Sequence, residues 1–309
     1  KTGCVGHATP QGWRLRNRKE AQVMDQPEMK LTIGGETYGL GLKVPDKIPL
    51  SFSEYPAAEV MELSQLQAIY KTPGRKHALE WYTPRLQQGR ASSCCPYAAT
   101  TACNVKRTFD HKEPVAFQPE YVYAHINGGQ DAGAMLDDAM KFLLEKGCCL
   151  TLEKLYQDFT LRDLSMEEKR FAAQQAFEYR ALDWYKAPHG NLDACWAATL
   201  SAIASRDPML MAVHCGDGFF SCGPDGRCKV DRGVGNHAVC GVELEGVLTA
   251  RSLRDIKIWA INSHGSRYGK NGCYLHTYDH MAQPCQYHQH CACRSMRTSP
   301  DEQISTLLA

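Results

Sequence analysis

The chain has 309 residues, of which 43% are hydrophobic and 22% charged, and its formal net charge is +1. This composition is typical of a soluble globular protein with a substantial core. The near-neutral charge argues against the strongly basic surface that binds nucleic acid or anionic lipid, and no stretch has the length of a transmembrane helix. We therefore expect neither a nucleic-acid nor a membrane partner.

Three regions are predicted along the chain: an N-terminal extension over residues 1–75, a main domain over 76–283 and a Cys/His-rich tail over 284–309. In the extension, strand-forming residues around Gly34-Gly35 predict a hairpin over 30–40. The extension is interpreted either as a leader wrapped over the main domain or as a pro-segment. The extension and the tail are the expected surfaces for protein partners.

In the main domain the predicted helices come first and the predicted strands follow. This order favours an α+β fold with a cleft between two halves. Apolar spacing and capping signals predict helices from Ser93 onward and over 119–126, 134–146, 165–181 and 193–205. Short apolar runs predict strands over 209–214, 237–243, 255–262 and 272–277.

Cysteine is frequent, with 15 in the chain. The total is odd, so at least one thiol cannot pair within a monomer. Such a density suits an oxidising compartment, whereas adjacent pairs such as Cys94-Cys95 are not typical of a disulfide framework, and the compartment stays open. A disulfide between Cys222 and Cys228 is predicted, because the two thiols flank a Gly-Pro-Asp-Gly turn.

The segment from Gln88 to Cys94 places a thiol at the start of a predicted helix, six residues after an amide side chain. The peptide dipoles at a helix N-terminus favour the thiolate, which is the reactive form of cysteine. A cysteine nucleophile also needs a base and a group that orients the base. His237 begins a predicted strand and Asn262 ends another, which makes them candidates for these two roles.

Taken singly, each of these residues also has a structural interpretation. Cys94 alone is typical of a buried or disulfide-bonded cysteine. His237 alone fits a histidine satisfied by the backbone, and Asn262 alone fits a turn. Their joint order and their flanking glycines favour the catalytic interpretation.

Three segments resemble the signatures of the papain-like cysteine peptidases, in the order that the family has them. They begin at Gln88 (QGRASSC), Asn236 (NHAV) and Asn262 (NSHG), and the resemblance covers roughly residues 80–280. His237 follows Cys94 by 143 residues, within the range of about 130–150 that is typical of the family. The resemblance implies a two-lobed fold with a helical left lobe and an antiparallel β-barrel-like right lobe.

The resemblance also implies a role for each candidate residue. Cys94 is the implied nucleophile, His237 the general base and then acid, and Asn262 the residue that orients the imidazole. Gln88 is the implied oxyanion donor, together with the backbone N–H of Cys94. The implied activity is hydrolysis of a peptide or protein substrate through a thioester acyl-enzyme, without a cofactor or a metal.

Three positions depart from the family pattern. Ala91 stands where many members have a disulfide cysteine. Cys95 replaces the usual tryptophan next to the nucleophile, and it is expected to react itself or to form a vicinal disulfide. His264 replaces the tryptophan that shields the His–Asn hydrogen bond, so the resemblance predicts a more solvated bond and a weaker ion pair.

Other functions remain open alternatives. The departures and the unusual terminal segments favour a structural or assembly protein that keeps the fold with weak, single-use or no activity. Transferase chemistry on the same triad is a further alternative. Thiols and imidazoles between Cys285 and Cys293 suggest zinc, although their tight spacing favours disulfides or free thiols.

Overall fold

The computed structural model describes residues 30–33, 36–43, 60–82, 86–112, 114–150, 160–188, 190–231, 236–282 and 290–296. The helices in these ranges are α1 (Leu63–Tyr70), α2 (Ala78–Trp81), α3 (Cys94–His111), α4 (Pro119–Ile126), α5 (Leu136–Glu145), α6 (Met166–Glu178), α7 (Leu192–Ala204), α8 (Asp217–Phe220) and α9 (Tyr278–Met281). The strands are β1 (Lys30–Ile33), β2 (Glu36–Gly39), β3 (Ala181–Lys186), β4 (Met209–Val213), β5 (His237–Glu245), β6 (Lys257–Ile261), β7 (Cys273–His276) and β8 (Cys291–Met296). Among these elements, no helix is both long and apolar enough to cross a membrane.

The fold is α+β, as predicted, and its main sheet has six antiparallel strands in the order β3-β8-β4-β5-β6-β7. The sheet is open, with β3 and β7 at its edges, so the expectation of a barrel-like right lobe is corrected: β3 and β7 are not paired with each other. The predicted hairpin near the start of the chain is confirmed, since β1 and β2 pair around Gly34-Gly35.

The sheet is buried on both faces, and its side chains alternate between two hydrophobic clusters. Along β5, Ala238 and Cys240 pack in the cluster that contains α3 residues, whereas Val239 packs in the cluster that contains α7 residues. Successive side chains of a strand point to opposite faces, so one strand contributes to both clusters. The sheet therefore lies between the helices of the left lobe and α7, and β5 joins the two clusters.

The local helix signals are confirmed. Ser165 accepts a hydrogen bond from the backbone N–H of Glu168 at 3.2 Å, and the Glu168 carboxylate accepts from the N–H of Ser165 at 2.7 Å, which is the predicted capping box. The helix that follows ends at Glu178, earlier than expected, because Ala181 begins β3. Helix α4 has the predicted bounds, with Pro119 in its first turn.

Strand β8 lies inside the segment that the sequence sets apart as a tail. It pairs with β3 on one side and with β4 on the other. Cys291, Ala292 and Cys293 are all buried in the core. Neither β3 nor β8 was expected from the sequence, and part of the tail therefore completes the main sheet.

The end of the N-terminal extension is tied to the sheet by the buried carboxylate of Glu243 on β5. This carboxylate accepts hydrogen bonds from the hydroxyl of Tyr70, from the backbone N–H of Ala78 at 2.8 Å and from the guanidinium of Arg206 at 3.0 Å. Burial alone raises the pKa of Glu243, but these hydrogen bonds and the positive charge of Arg206 lower it below its usual value. The ionised Glu243 therefore holds α1 and α2 against β5.

Candidate active site

Cys94 is the first residue of α3, and its side chain is completely buried at the junction of the helix with the sheet. The first N–H groups of a helix have no partner within the helix and carry the positive end of its dipole. The chain ahead of the helix is rich in small residues, and Ser92 and Ser93 are buried with it. The structure thus places the thiol where the sequence predicts it, at a helix N-terminus.

His237 and Asn262 come from neighbouring strands and form the predicted pair. Nε2 of His237 lies 2.8 Å from Oδ1 of Asn262. The same oxygen accepts the backbone N–H of Ser263 at 2.8 Å, so it is the amide oxygen that faces the ring and Nε2 is the donor. Because Nε2 is engaged in this bond, Nδ1 is the ring nitrogen that remains for an interaction with Cys94.

The electrostatic setting of Cys94 favours the thiolate. Burial by itself raises the pKa of this thiol, but side-chain hydrogen bonds with Cys95 and His237, the charge of His237 and the backbone N–H of Gly41 together bring the pKa well below its usual value. Three of these groups belong to different elements. The low pKa is therefore a property of the assembled site and not of the helix alone.

His264 covers the hydrogen bond between His237 and Asn262. Its ring is stacked on that of His237, with the centroids 5.0 Å apart and the planes inclined by 13°. His237 is 0% exposed and Asn262 2% exposed. The expected loss of shielding is therefore wrong: an imidazole, packed beside Phe220, covers the bond in place of the tryptophan.

Gln88 is fixed by contacts with Ser263, which follows β6, and with Ala91, which precedes α3. Its backbone N–H donates to the carbonyl oxygen of Ser263 at 2.8 Å, and its side-chain oxygen accepts the hydroxyl of Ser263. Its side-chain N–H donates to the carbonyl oxygen of Ala91 at 2.7 Å. Ser263 thus positions Gln88, a function that the sequence motif did not reveal because Ser263 acts through another residue.

A short N-terminal segment, Leu40–Lys43, crosses the site, and we call it the strap. The carbonyl oxygen of Gly41 accepts the N–H of Ala134 at 2.8 Å, and the N–H of Lys43 donates to the carbonyl oxygen of Ala134 at 3.0 Å. The N–H of Leu42 donates to the carbonyl oxygen of Asn236 at 3.3 Å. Since Ala134 precedes α5 and Asn236 precedes β5, the strap joins the two lobes over Cys94.

The strap fits too closely to tolerate a side chain at Gly41. A Cβ at this position would lie 1.8 Å from the carbonyl oxygen of Ser92. A Cβ at Gly133 would lie 2.2 Å from the carbonyl oxygen of Gly41. Leu42 is completely buried, in the same hydrophobic cluster as Cys94. Sequence reasoning missed this contact, because residues 40–43 carry no local motif.

A segment held by Asp231 contacts the ring of His237. The predicted bridge between Cys222 and Cys228 is present. The carboxylate of Asp231 accepts three backbone N–H groups near α8, including that of Phe219 at 2.7 Å. The ring of Phe219 contacts that of His237 edge-on, with the centroids 5.7 Å apart. Asp231 therefore acts on the site indirectly, by holding Phe219.

The Cys/His-rich tail is described only in part. Cys285 and His288 lie outside the described residues, whereas His290, Cys291 and Cys293 are buried. Within the described ranges, no group of three or more His, Cys, Asp or Glu side chains is arranged to hold a metal ion.

The fold is that of the papain-like cysteine proteases. Solved structures of this class match most of the chain. Xylellain, a cysteine protease from Xylella fastidiosa, aligns with a TM-score of 0.60 and 17% identity, over 84% of this chain and 96% of xylellain. Digestive procathepsin L 3 of the Tenebrio molitor larval midgut aligns with a TM-score of 0.54 and 14% identity, over 79% of this chain and 78% of the procathepsin.

The bromelain protease from Ananas comosus, solved in complex with the E64 inhibitor, aligns with a TM-score of 0.53 and 15% identity, over 74% of this chain and all of the bromelain chain (100%). No protein-family model matches the sequence, and no curated protein sequence does. At these identities the similarity establishes the fold.

Proposed function

We propose that this protein is a cysteine endopeptidase that cleaves peptide bonds through a thioester acyl-enzyme. The observation that carries the proposal is the assembly of a buried, low-pKa thiol at a helix N-terminus with a histidine whose far nitrogen is fixed by Asn262 at 2.8 Å. A thiolate next to an oriented imidazole is the arrangement that nucleophilic acyl transfer requires.

In the proposed reaction, the Cys94 thiolate attacks the scissile carbonyl carbon and forms a carbon–sulfur bond. The carbonyl oxygen becomes an oxyanion, stabilised by the backbone N–H of Cys94 and the side-chain amide of Gln88. The His237 imidazolium then gives its proton to the leaving nitrogen. Water, deprotonated by His237, hydrolyses the thioester and restores the thiol, so no cofactor is needed.

The contacts of the strap suggest a role for the N-terminal extension in the proposed function. Its backbone forms hydrogen bonds with Ala134 and with Asn236, which lie on the two sides of the thiol. A substrate needs access to the same thiol, which is completely buried under the strap. The strap must therefore leave before turnover, and the extension acts as an inhibitory segment of the same chain.

The covered thiol also favours the second candidate, a structural or assembly protein with weak or no activity. Labelling with an epoxide-type inhibitor of thiol peptidases distinguishes the two functions. We expect modification at Cys94 in the full chain and faster modification in a Gly41→Ala variant, whose strap does not fit. Absence of modification in both proteins favours the structural role.

Substitution of the nucleophile tests the assignment directly. We expect Cys94→Ala to abolish peptide hydrolysis, because Cys94 is the thiol whose pKa His237 helps to lower. Cys215→Ala is the matched control: its thiol is also buried, but burial raises the pKa of Cys215, so turnover is expected to persist. Hydrolysis by the Cys94→Ala protein would refute the proposal.

A further inference from the structure

We infer that Tyr97 is a positioning residue for Gln88. Its hydroxyl donates a hydrogen bond to the backbone carbonyl oxygen of Gln87, at 3.2 Å, and the carboxyl group of Glu120 donates in turn to Tyr97. Tyr97 is 2% exposed and Glu120 3% exposed, so water does not compete for either group. The inference rests on the proposed function, in which Gln88 is an oxyanion donor.

The two proposed oxyanion donors belong to different segments of the chain. The backbone N–H of Cys94 lies in the first turn of α3, whereas Gln88 lies on the other side of the loop 89–93. Tyr97 follows Cys94 by three residues, which is about one turn along the same helix. Its hydrogen bond to Gln87 therefore fixes the backbone that carries one donor against the helix that carries the other.

The hydroxyl of Tyr97 has one proton and two oxygen atoms within hydrogen-bonding distance. The carbonyl oxygen of Gln87 can only accept, so the proton of the hydroxyl points to Gln87. Oε1 of Glu120 then carries a proton of its own and donates it to the Tyr97 oxygen. The side-chain amide of Gln118 donates to Oε2, the other oxygen of the same carboxyl group. A neutral Glu120 thus gives each of these contacts one donor and one acceptor.

Burial favours the neutral form of Glu120. It raises the pKa of this carboxyl above the usual value, although the hydrogen bonds of the group act in the opposite direction. Among the described residues, the titratable groups that face it from other elements are Tyr97 on α3 and, after α5, Cys148 and Cys149. Burial raises the pKa of both thiols, which are therefore uncharged. The hydrogen bond to Gln87 is thus present below the pKa of Glu120 and is lost as the pH rises through it, because the carboxylate then takes the phenolic proton.

The steady-state kinetics of Tyr97→Phe test the positioning. Complete removal of an oxyanion donor typically lowers kcat about 100- to 1,000-fold, and a misplaced donor is expected to cost less. Because the oxyanion exists only in the transition state and the intermediate, we expect kcat to fall about tenfold while KM stays within about twofold of the native value. An unchanged kcat, or an effect confined to KM, would overturn the inference.

Tyr185→Phe is the matched control. The hydroxyl of Tyr185 is also buried and donates to a carboxylate, that of Asp207, at 2.9 Å. Tyr185 lies on β3, in the hydrophobic cluster that contains α7 residues. We expect kcat and KM of this variant to equal those of the native chain.

Substitutions of Glu120 test the direction of donation. Glu120→Gln keeps one donor for Tyr97 and one acceptor for Gln118, so its kcat is expected within about twofold of the native value. Glu120→Ala has neither group and is expected to lose about as much as Tyr97→Phe. The ratio of native kcat to that of Glu120→Gln is expected to fall as the pH rises through the pKa of Glu120. Equal losses in the glutamine and alanine variants, or a ratio independent of pH, would contradict donation by a neutral acid.

Amide hydrogen exchange separates this inference from the proposed function, because it needs no substrate. The backbone N–H of Gln88, which donates to the carbonyl oxygen of Ser263 at 2.8 Å, is expected to exchange about tenfold faster in Tyr97→Phe. The amides of β4 report global unfolding and serve as the internal reference. Faster exchange at Gln88 alone supports the inference even in a protein that hydrolyses no peptide, and equal exchange overturns it. If Tyr97→Phe hydrolyses peptides with the native kcat, the proposed function is retained and the inference falls.

Discussion

His264 covers the hydrogen bond between His237 and Asn262 and stays neutral beside it. Burial lowers the pKa of His264 well below its usual value, and the charge of His237 lowers it further. A neutral ring stacked on His237 covers the hydrogen bond to Asn262 without repelling the imidazolium that the proposed reaction forms. Histidine can therefore replace a larger aromatic residue here, provided that it does not take up a proton.

The neutral His264 makes stability depend on pH. The folded chain holds this ring unprotonated, whereas in the unfolded chain it takes up a proton below about pH 6.5. The free energy of unfolding is therefore expected to fall on acidification below this pH, by at most about 1.4 kcal/mol per pH unit for this group. His264→Phe keeps the aromatic contact and removes the titration.

Urea unfolding of both proteins over a series of pH values measures this effect. We expect a shallower decline for His264→Phe. His276, whose pKa burial also lowers, is common to both proteins and cancels in the comparison. Equal slopes for the two proteins would contradict the assignment.

In the proposed function, Asn262 orients the base, His237, through a single hydrogen bond. Removing it in Asn262→Ala leaves Nε2 of His237 without its acceptor, in a site that water does not reach. A hydrogen bond to a charged group contributes about 1.5–3 kcal/mol. The expected loss in kcat is thus about 10- to 100-fold, measured on a peptide substrate. Asn262→Asp keeps an acceptor oxygen and is expected to lose less; an equal loss would indicate that the amide acts by packing.

At the scale of elements, the sequence predicted the features that depend on residues close together in the chain. The capping box at Ser165 and the pairing of β1 with β2 depend on neighbours in sequence, and both are confirmed. Cys94, His237 and Asn262 could be predicted because each lies at a recognisable end of a helix or strand. The role of Gly41 could not, because its contacts with Ser92 and Cys94 form only in the folded chain.

The strap is the element whose removal is easiest to test. In Gly41→Ala, the added Cβ would lie 1.8 Å from the backbone oxygen of Ser92. Because both partners are backbone atoms, neither can move away without a large cost in free energy. Overpacking of this kind costs about 1–3 kcal/mol, which shifts the strap equilibrium about tenfold or more towards the open site. We therefore expect peptide hydrolysis by Gly41→Ala to be faster than by the native chain by a similar factor.

A matched control separates strap displacement from general damage. Gly74 has a positive φ, at 79°, and a Cβ added there would have no atom within 4 Å, so Gly74→Ala strains the backbone without touching the site. Its hydrolysis rate is expected to equal that of the native chain. If both variants are activated equally, or neither is, the strap does not control access.

At the scale of the whole molecule, the last described strand lies in the interior of the sheet. Strand β8 separates β3 from β4, and Ala292 is paired with Tyr185 on one side and with Met209 on the other. These partners are distant in sequence, so no local sequence pattern predicts the pairing. The Cys/His content of the tail suggested metal chemistry, whereas the described thiols in this strand serve as buried apolar groups.

A charge placed in this strand is expected to destabilise the whole fold. Ala292→Asp puts a carboxylate in a position that is 0% exposed, next to Met209. A buried charge without a partner costs about 3–5 kcal/mol, and we expect the free energy of unfolding to fall by that amount in a denaturant titration. Arg294→Gln in the same strand changes an exposed side chain and is expected to lose at most about 1 kcal/mol. Similar losses for both would mean that β8 contributes little to the core.

In the proposed function the strap competes with the substrate as part of the same chain, so its strength as an inhibitor depends on its effective concentration as well as on its contacts. Joined to the rest of the chain through residues 44–59, the segment Leu40–Lys43 is presented to the site at an effective concentration that for short linkers is in the millimolar range. A single cut in that connection would leave every contact of the strap intact and would still release the site, since the freed peptide would dilute to the concentration of the protein. The inhibition therefore depends on one continuous backbone, and cleavage there would act by dilution.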